Sequence, residues 1–264
     1  MKILIIGGTG TISSAITKLI SDRGKDEVWV LNRGNGSASL AEGIHRITAD
    51  AYDGDFLSKA LKGMYFDTVC YFIGFTVSQV KTAYEVLKNH IGQFIYISSA
   101  SVYQKPPKSW LITEETPLEN PYWEYSRNKI ECENFLMGKY RDESFPVTIV
   151  RPSHTYCEKS VPVGIHGVRG SWQILKRMLE GKPVIVHGNG TSLWTMTDSR
   201  DFAKAFAGLM GNPKAIGRAF HITSDESIPW NLIYTDIADA LSECLGRKVN
   251  ANLVHVASDR IIAE

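Results

Sequence analysis

The stretch KILIIGGTGTIS at residues 2–13 constrains the fold more than any other part of the chain. Ile3 to Ile6 run into Gly7-Gly8-Thr9-Gly10, after which Ile12, Ile16, Leu19 and Ile20 share one helical face until Gly24 offers a stop. A strand that turns through glycines into an amphipathic helix presents unpaired backbone N–H groups and the positive end of a helix dipole at one point, where a pyrophosphate docks. Gly8 and Gly10 match G-x-G, while Gly7, Gly10 and residue 13 match the longer spacing of a dinucleotide-binding turn, with Ser13 in place of the third glycine. That glycine serves close helix–sheet packing. Ser is among the smallest replacements, and the turn is expected to tolerate it.

Strand and helix patterns then alternate. EVWVLN (27–32), HRITAD (45–50), DTVCYFIG (67–74) and QFIYISS (93–99) read as strands, with a helix carrying Val80, Ala83, Tyr84, Val86 and Leu87 before the last of them. PVTIVR (146–151), KPVIVH (182–187) and RAFHIT (218–223) read as later strands, and a helix is expected over 171–180. Strands separated by helices require crossover connections, hence a parallel sheet covered on both faces. The expected fold is α/β, a doubly wound parallel sheet over residues 1–152, with ligands at the carboxyl ends of its strands. After Arg151-Pro152 the pattern loosens into VPVGIHGVRG, which marks the start of a smaller substrate lobe over 153–264. A segment near 194–223 is expected to return to the main sheet.

Composition narrows the function. With 29 Lys+Arg against 28 Asp+Glu among 264 residues, no bulk field attracts nucleic acid or an anionic membrane. The four cysteines, Cys70, Cys132, Cys157 and Cys244, form no C-x-x-C pair, so neither zinc nor a disulfide framework is indicated and a reducing cytoplasm fits. The N-terminal apolar run is too short for a signal-peptide core or a membrane span.

The second strand should end in an acid if a ribose 2′-hydroxyl is held, or in a basic residue if a 2′-phosphate is bound. Asn32 and Arg33 stand there, which leans toward NADP over NAD. Asp50 either accepts from an adenine amino group or caps a helix in ADAYDGD. In NPYWEYSRNKIECENF, Tyr125 and Lys129 are one helical turn apart, whereas Tyr122 has no Lys at that spacing. An ammonium about 4 Å from a phenol contributes ~4 kcal/mol at an effective dielectric of 20, enough to bring Tyr125 toward use as an acid/base. Ser98 and Ser99 end a strand upstream, within reach by a loop.

The collinear set GGTGTIS, Asp50, YISSASVY, YSRNK, VRPSHTY and GNGTSLWTMTDSRDFA resembles the extended short-chain dehydrogenase/reductase superfamily, in particular its NAD-dependent epimerase/dehydratase family, over nearly the whole chain. The resemblance implies a Rossmann domain, bound NAD or NADP, Tyr125 as the acid/base, and Lys129 lowering its pKa and holding the nicotinamide ribose. It selects Ser99 over Ser98 or Ser101 as the catalytic hydroxyl. It places Gly7, Gly10, Thr11 and Ile12 on the cofactor loop, Asp50 and Ala51 on the adenine, and Phe72-Ile73-Gly74 beneath the cofactor. It also implies a small-molecule substrate and a homodimer formed through two Rossmann helices.

Ala100 and Ser101 follow Ser99 where dehydratases of the family carry an Asp-Glu pair, so water elimination is disfavoured against epimerisation or simple reduction. His154 and Trp194 occupy the places of an Asn and an Arg that hold the diphosphate of nucleotide sugars, leaving Arg169, Arg177 or Arg200 as substitutes. Three readings follow: an oxidoreductase or epimerase of a sugar or nucleotide-sugar-like substrate, an NADPH-dependent reductase of a non-nucleotide carbonyl compound, and an idle cofactor-sensing or RNA-binding relative. VHVASDRIIAE reads as an unfinished element, so part of the substrate lobe is expected to lie beyond it.

Overall fold

The structure is a computed structural model that describes residues 1–34, 40–167 and 170–261. Its elements in chain order are β1 (Lys2–Ile6), α1 (Thr11–Asp22), β2 (Glu27–Asn32), β3 (His45–Thr48), α2 (Gly54–Ala60), β4 (Thr68–Tyr71), α3 (Val77–Leu87), β5 (Phe94–Ile97), α4 (Glu124–Glu143) and β6 (Val147–Pro152). There follow β7 (His154–Tyr156), α5 (Trp172–Leu179), β8 (Val184–His187), β9 (Leu193–Asp198), α6 (Ser199–Ala207), β10 (Ala219–Ile222), β11 (Ser227–Pro229), α7 (Trp230–Leu245), β12 (Leu253–Val256) and α8 (Ser258–Ile261).

The chain divides into two units, one of residues 1–153 and 199–222 and the other of 154–198 and 223–264. In the first, seven strands form a sheet in the order β10-β6-β5-β4-β1-β2-β3 with every pairing parallel. The order reverses where β1 lies between β2 and β4, the point at which a doubly wound sheet opens a crevice. Strands such as β4 and β5 are buried at every position, as a sheet covered on both faces requires. Ile16, Ile20, Phe202 and Phe206 of α1 and α6 close one face; Leu57, Val80, Tyr84 and Leu136 of α2, α3 and α4 close the other.

The second unit holds a three-stranded sheet, β11-β9-β7, and a parallel pair, β12-β8, over a core that includes Val184, Val186, Trp230, Ile233 and Tyr234. KPVIVH therefore forms no part of the large sheet. Its strand β8 pairs with β12, Leu253–Val256, which runs into the segment read as unfinished.

Ser13 has a structural task. It is buried, its hydroxyl accepts from the Gly10 N–H at 2.9 Å and donates to the Gly7 carbonyl at 2.7 Å, and it thereby ties the glycine turn to the first turn of α1. Restoring the expected glycine removes both bonds and adds backbone entropy to the unfolded chain. Ser13→Gly is expected to lower stability by about 1–2 kcal/mol in urea denaturation; a variant as stable as the parent would show that the turn does not depend on this hydroxyl.

Candidate active site

At the carboxyl ends of β1, β2 and β3 the first unit opens a cavity of about 290 Å³ lined by Gly7, Thr9, Asn32, Arg33, Asp50, Ala51 and their neighbours. Gly7 has φ +88°, and a Cβ there would come within 2.5 Å of the Ile73 side chain, so only glycine fits the turn. A Cβ on Gly10 would meet nothing nearer than Ser13 Oγ at 3.5 Å. The protein thus leaves open the space in front of the α1 N-terminus, where Thr11 is exposed and Ile12 half-buried, as a docked phosphate requires.

Asn32 accepts from the Gly34 N–H at 3.0 Å, which turns the chain at the end of β2 and leaves Arg33 exposed at the cavity wall. Asp50 does not cap a helix. Its carboxylate accepts from the Tyr52 N–H at 2.9 Å, and Asp53 is the residue that caps α2. Tyr52, which sequence reasoning missed, lines the cavity and donates its hydroxyl to the Ile73 carbonyl at 2.8 Å. Burial raises its pKa, with Arg33 opposing and Asp50 adding to the rise. Phe72 turns away: its ring packs against Phe206 at 5.9 Å in the α1/α6 layer, and Ile73 and Phe75 line the cavity instead. Gly74 is buried with its Cα against Tyr71 and Tyr96, so close that a Cβ would lie 2.6 Å from the Tyr71 ring.

Tyr125, Lys129 and Glu133 follow one another at the i, i+4 spacing of α4 and share its inner face. Lys129 is buried, and its ammonium donates to the Gly74 and Ile97 carbonyls, each at 2.7 Å. Burial pulls its pKa down to about 8. Ser99 begins a 3₁₀ turn, accepts from the Ser101 N–H at 3.1 Å, and its hydroxyl acts to lower the pKa of the Tyr125 phenol. The hydroxyls of Ser98 and Ser101 are buried without a hydrogen-bond partner among the described residues, and of the three serines Ser99 is the one that influences the phenol.

The expected effect of Lys129 on Tyr125 requires correction. The ammonium lies 5.7 Å from the Tyr125 ring centroid and is held by two backbone carbonyls. Burial dominates and raises the Tyr125 pKa, with the Ser99 hydroxyl pulling the other way. The phenol is protonated at neutral pH, the form that donates to a carbonyl oxygen.

In the second unit His154 stands beside Met196 and Trp194 beside Ile228, both in sheet register. Arg177 donates its Nε–H to the Pro183 carbonyl at 2.6 Å, Arg200 lies on α6 in the first unit, and Arg169 lies outside the described residues.

A parallel sheet reversing at β1, a glycine turn into the α1 N-terminus and a Ser-Tyr-Lys set on the turn after β5 and on α4 define a dinucleotide-binding protein of the short-chain dehydrogenase/reductase type. Residues 3–223 match the model of the NAD dependent epimerase/dehydratase family, and the chain belongs to that family. It is 23% identical over 241 residues to 2′-dehydrokanamycin reductase of Streptomyces kanamyceticus, covering 91% of this chain and 67% of that one. It is 27% identical over 243 residues to chloroplast stem-loop binding protein of 41 kDa b of Arabidopsis thaliana, covering 87% and 60%. The chain thus spans about two thirds or less of the length of these relatives. In fold it is similar to UDP-glucuronic acid 4-epimerase from Bacillus cereus, solved with UDP-glucuronic acid and NAD, at a TM-score of 0.74 and 22% identity over 98% of this chain and 87% of that one. Family membership implies an NAD(P) cofactor. Among the described residues no helix is long and apolar enough to cross a membrane.

Proposed function

We propose that the protein is an NAD(P)-dependent oxidoreductase acting at a carbinol carbon of a sugar, with Tyr125 as the acid/base. The observation that carries this is the placement of Tyr125 one turn before a buried Lys129 on the inner face of α4, with the Ser99 hydroxyl acting on the phenol. A bound NAD(P) supplies the hydride donor or acceptor. The glycine turn and the α1 N-terminus would hold its pyrophosphate, Asn32, Arg33, Asp50 and Ala51 its adenosine half, and Lys129 its nicotinamide ribose. Ser99 orients the substrate oxygen, and Tyr125 gives that oxygen a proton or takes one from it. Ala100 and Ser101 bring no acid or base beside Ser99, so elimination of water is left out of the proposal.

Of the alternatives within this chemistry, reduction of a carbonyl compound with NADPH is favoured by one observation: Arg33 stands exposed at the cavity wall. Epimerisation requires the same residues to act twice on a retained ketone. A cofactor-sensing or RNA-binding role is the competing reading, and one relative bears a stem-loop binding name. The near balance of charge, +1 overall, favours the enzyme.

Cofactor titration tests the reading. The purified protein is expected to bind NADPH, seen as enhanced nicotinamide fluorescence, and absence of binding to both NADPH and NADH ends the enzyme proposal. Arg33→Ala is expected to weaken NADPH about 10-fold or more, as loss of a charge-assisted bond to a 2′-phosphate would, while changing NADH little. Equal losses would show that Arg33 does not read the 2′-phosphate.

A further inference from the structure

The second unit carries an aromatic face whose chemistry is unlike that of a phosphate site. In the β11-β9-β7 sheet, residues in register lie side by side, so Trp194 with Ile228 and Met196 with His154 occupy the same face, Trp194 and Met196 being two apart on β9. Trp230, at the start of α7, packs against three rings: His187 at 5.0 Å between centroids, His154 at 6.0 Å and Trp194 at 6.0 Å. Trp230 itself is 4% exposed, whereas Trp194 is 40% exposed, so the cluster is anchored in the core and ends in an accessible indole. Gly164 closes its edge, where a Cβ would come 2.8 Å from the His187 ring and 3.1 Å from that of Trp230.

The two imidazoles are half-buried. Burial lowers the pKa of each, and for His154 the neighbouring His166 adds to the effect. At neutral pH each ring therefore offers one donor and one acceptor and no positive charge. Sugar hydroxyls both donate and accept, and the C–H face of a pyranose is matched by an indole face; a diphosphate asks for fixed cations instead.

We propose that this face is a saccharide platform for a sugar without a nucleoside diphosphate, Trp194 stacking on the ring and His154 and His187 bonding its hydroxyls. This rests on the sugar-oxidoreductase reading above for the class of ligand and concerns the second unit alone.

The test uses the full chain labelled with 5-fluorotryptophan, with Trp194→Phe assigning the Trp194 resonance. Methyl glycosides of glucose, galactose and 2-amino-2-deoxyglucose, at millimolar concentrations, are expected to shift that resonance, and UDP or inorganic pyrophosphate is expected to leave it in place. His154→Gln, whose fold is checked by unchanged fluorine resonances of Trp29, Trp110 and Trp123 in the first unit, is expected to weaken the glycoside response about tenfold, as the loss of a well-formed hydrogen bond would. A shift with UDP or pyrophosphate, or no shift with any glycoside, overturns the proposal. NADPH binding is measured on the same sample: its absence would remove the oxidoreductase reading and leave the fluorine result to stand or fall alone.

Discussion

Tyr125→Phe is expected to lower turnover on an identified carbonyl substrate by about 10²–10⁴-fold, the usual contribution of a positioned proton donor. That corresponds to ~3–5 kcal/mol in the barrier. Phe keeps the ring, which packs against Trp123 at 4.8 Å between centroids, so cofactor affinity and stability should change little. The measurement is single-turnover oxidation of NADPH beside a binding titration. A variant that binds NADPH normally and reduces the same substrate at the parent's rate would remove Tyr125 from the chemistry.

The pH dependence follows from the direction of the Tyr125 shift. Burial raises its pKa, so the phenol stays protonated through neutrality, and carbonyl reduction should hold steady there and fall only as alkaline pH removes the proton. Alcohol oxidation, which needs the phenolate, should rise over the same alkaline range. The Ser99 hydroxyl opposes the upward shift, so Ser99→Ala should move both limbs to higher pH. Lys129, with a pKa near 8, loses its proton earlier, and its uncharged amine still donates to Gly74 and Ile97. A merely structural Ser99 would leave the limbs in place.

The parts of this molecule that depend on local pattern were readable in the sequence. The apolar runs of β1, β2, β4, β5 and β6 announce buried parallel strands because such strands lack polar alternation. Tyr125 and Lys129 could be paired because helix spacing brings i and i+4 together whatever surrounds them, whereas Ser99 was chosen from its neighbours only through the family resemblance. The partners of Lys129 were not readable, since backbone carbonyls belong to no residue type. Tyr52 escaped for a similar reason: a lone tyrosine in ADAYDGD gives no sign that its hydroxyl will reach Ile73, 21 residues on. KPVIVH was read as a strand of the smaller lobe and lies there, but an apolar run does not say that its partner is β12. β7 and β11 have three residues each, too few to show a period.

Glu133→Ala is expected to cost ~3–5 kcal/mol of stability, the effect of stripping one partner from a buried ion pair. Glu133, eight residues after Tyr125 on α4, is 2% exposed, and its carboxylate takes three hydrogen bonds from Arg151 on β6, the shortest 2.6 Å. Burial opposes the charge on Arg151, but the Glu133 hydrogen bonds and charge prevail and raise its pKa. The same guanidinium reaches Tyr103, just past the Ser99 turn, at 3.4 Å and the Glu114 carbonyl at 3.2 Å. One cation therefore ties the helix bearing Tyr125 and Lys129 to the turn bearing Ser99, and removing its counter-ion leaves that charge in the interior without an equal partner. Chemical denaturation gives the loss directly. Replacing both partners, as in Glu133→Leu with Arg151→Met, should recover most of the stability, because the desolvation cost of both ions disappears with them. The doubly replaced protein should still bind NADPH yet show the Ser99-dependent alkaline limb displaced, since the turn and the helix would no longer be held by a common group. If the double variant proves as unstable as Glu133→Ala, the loss comes from packing around α4 and not from an uncompensated charge.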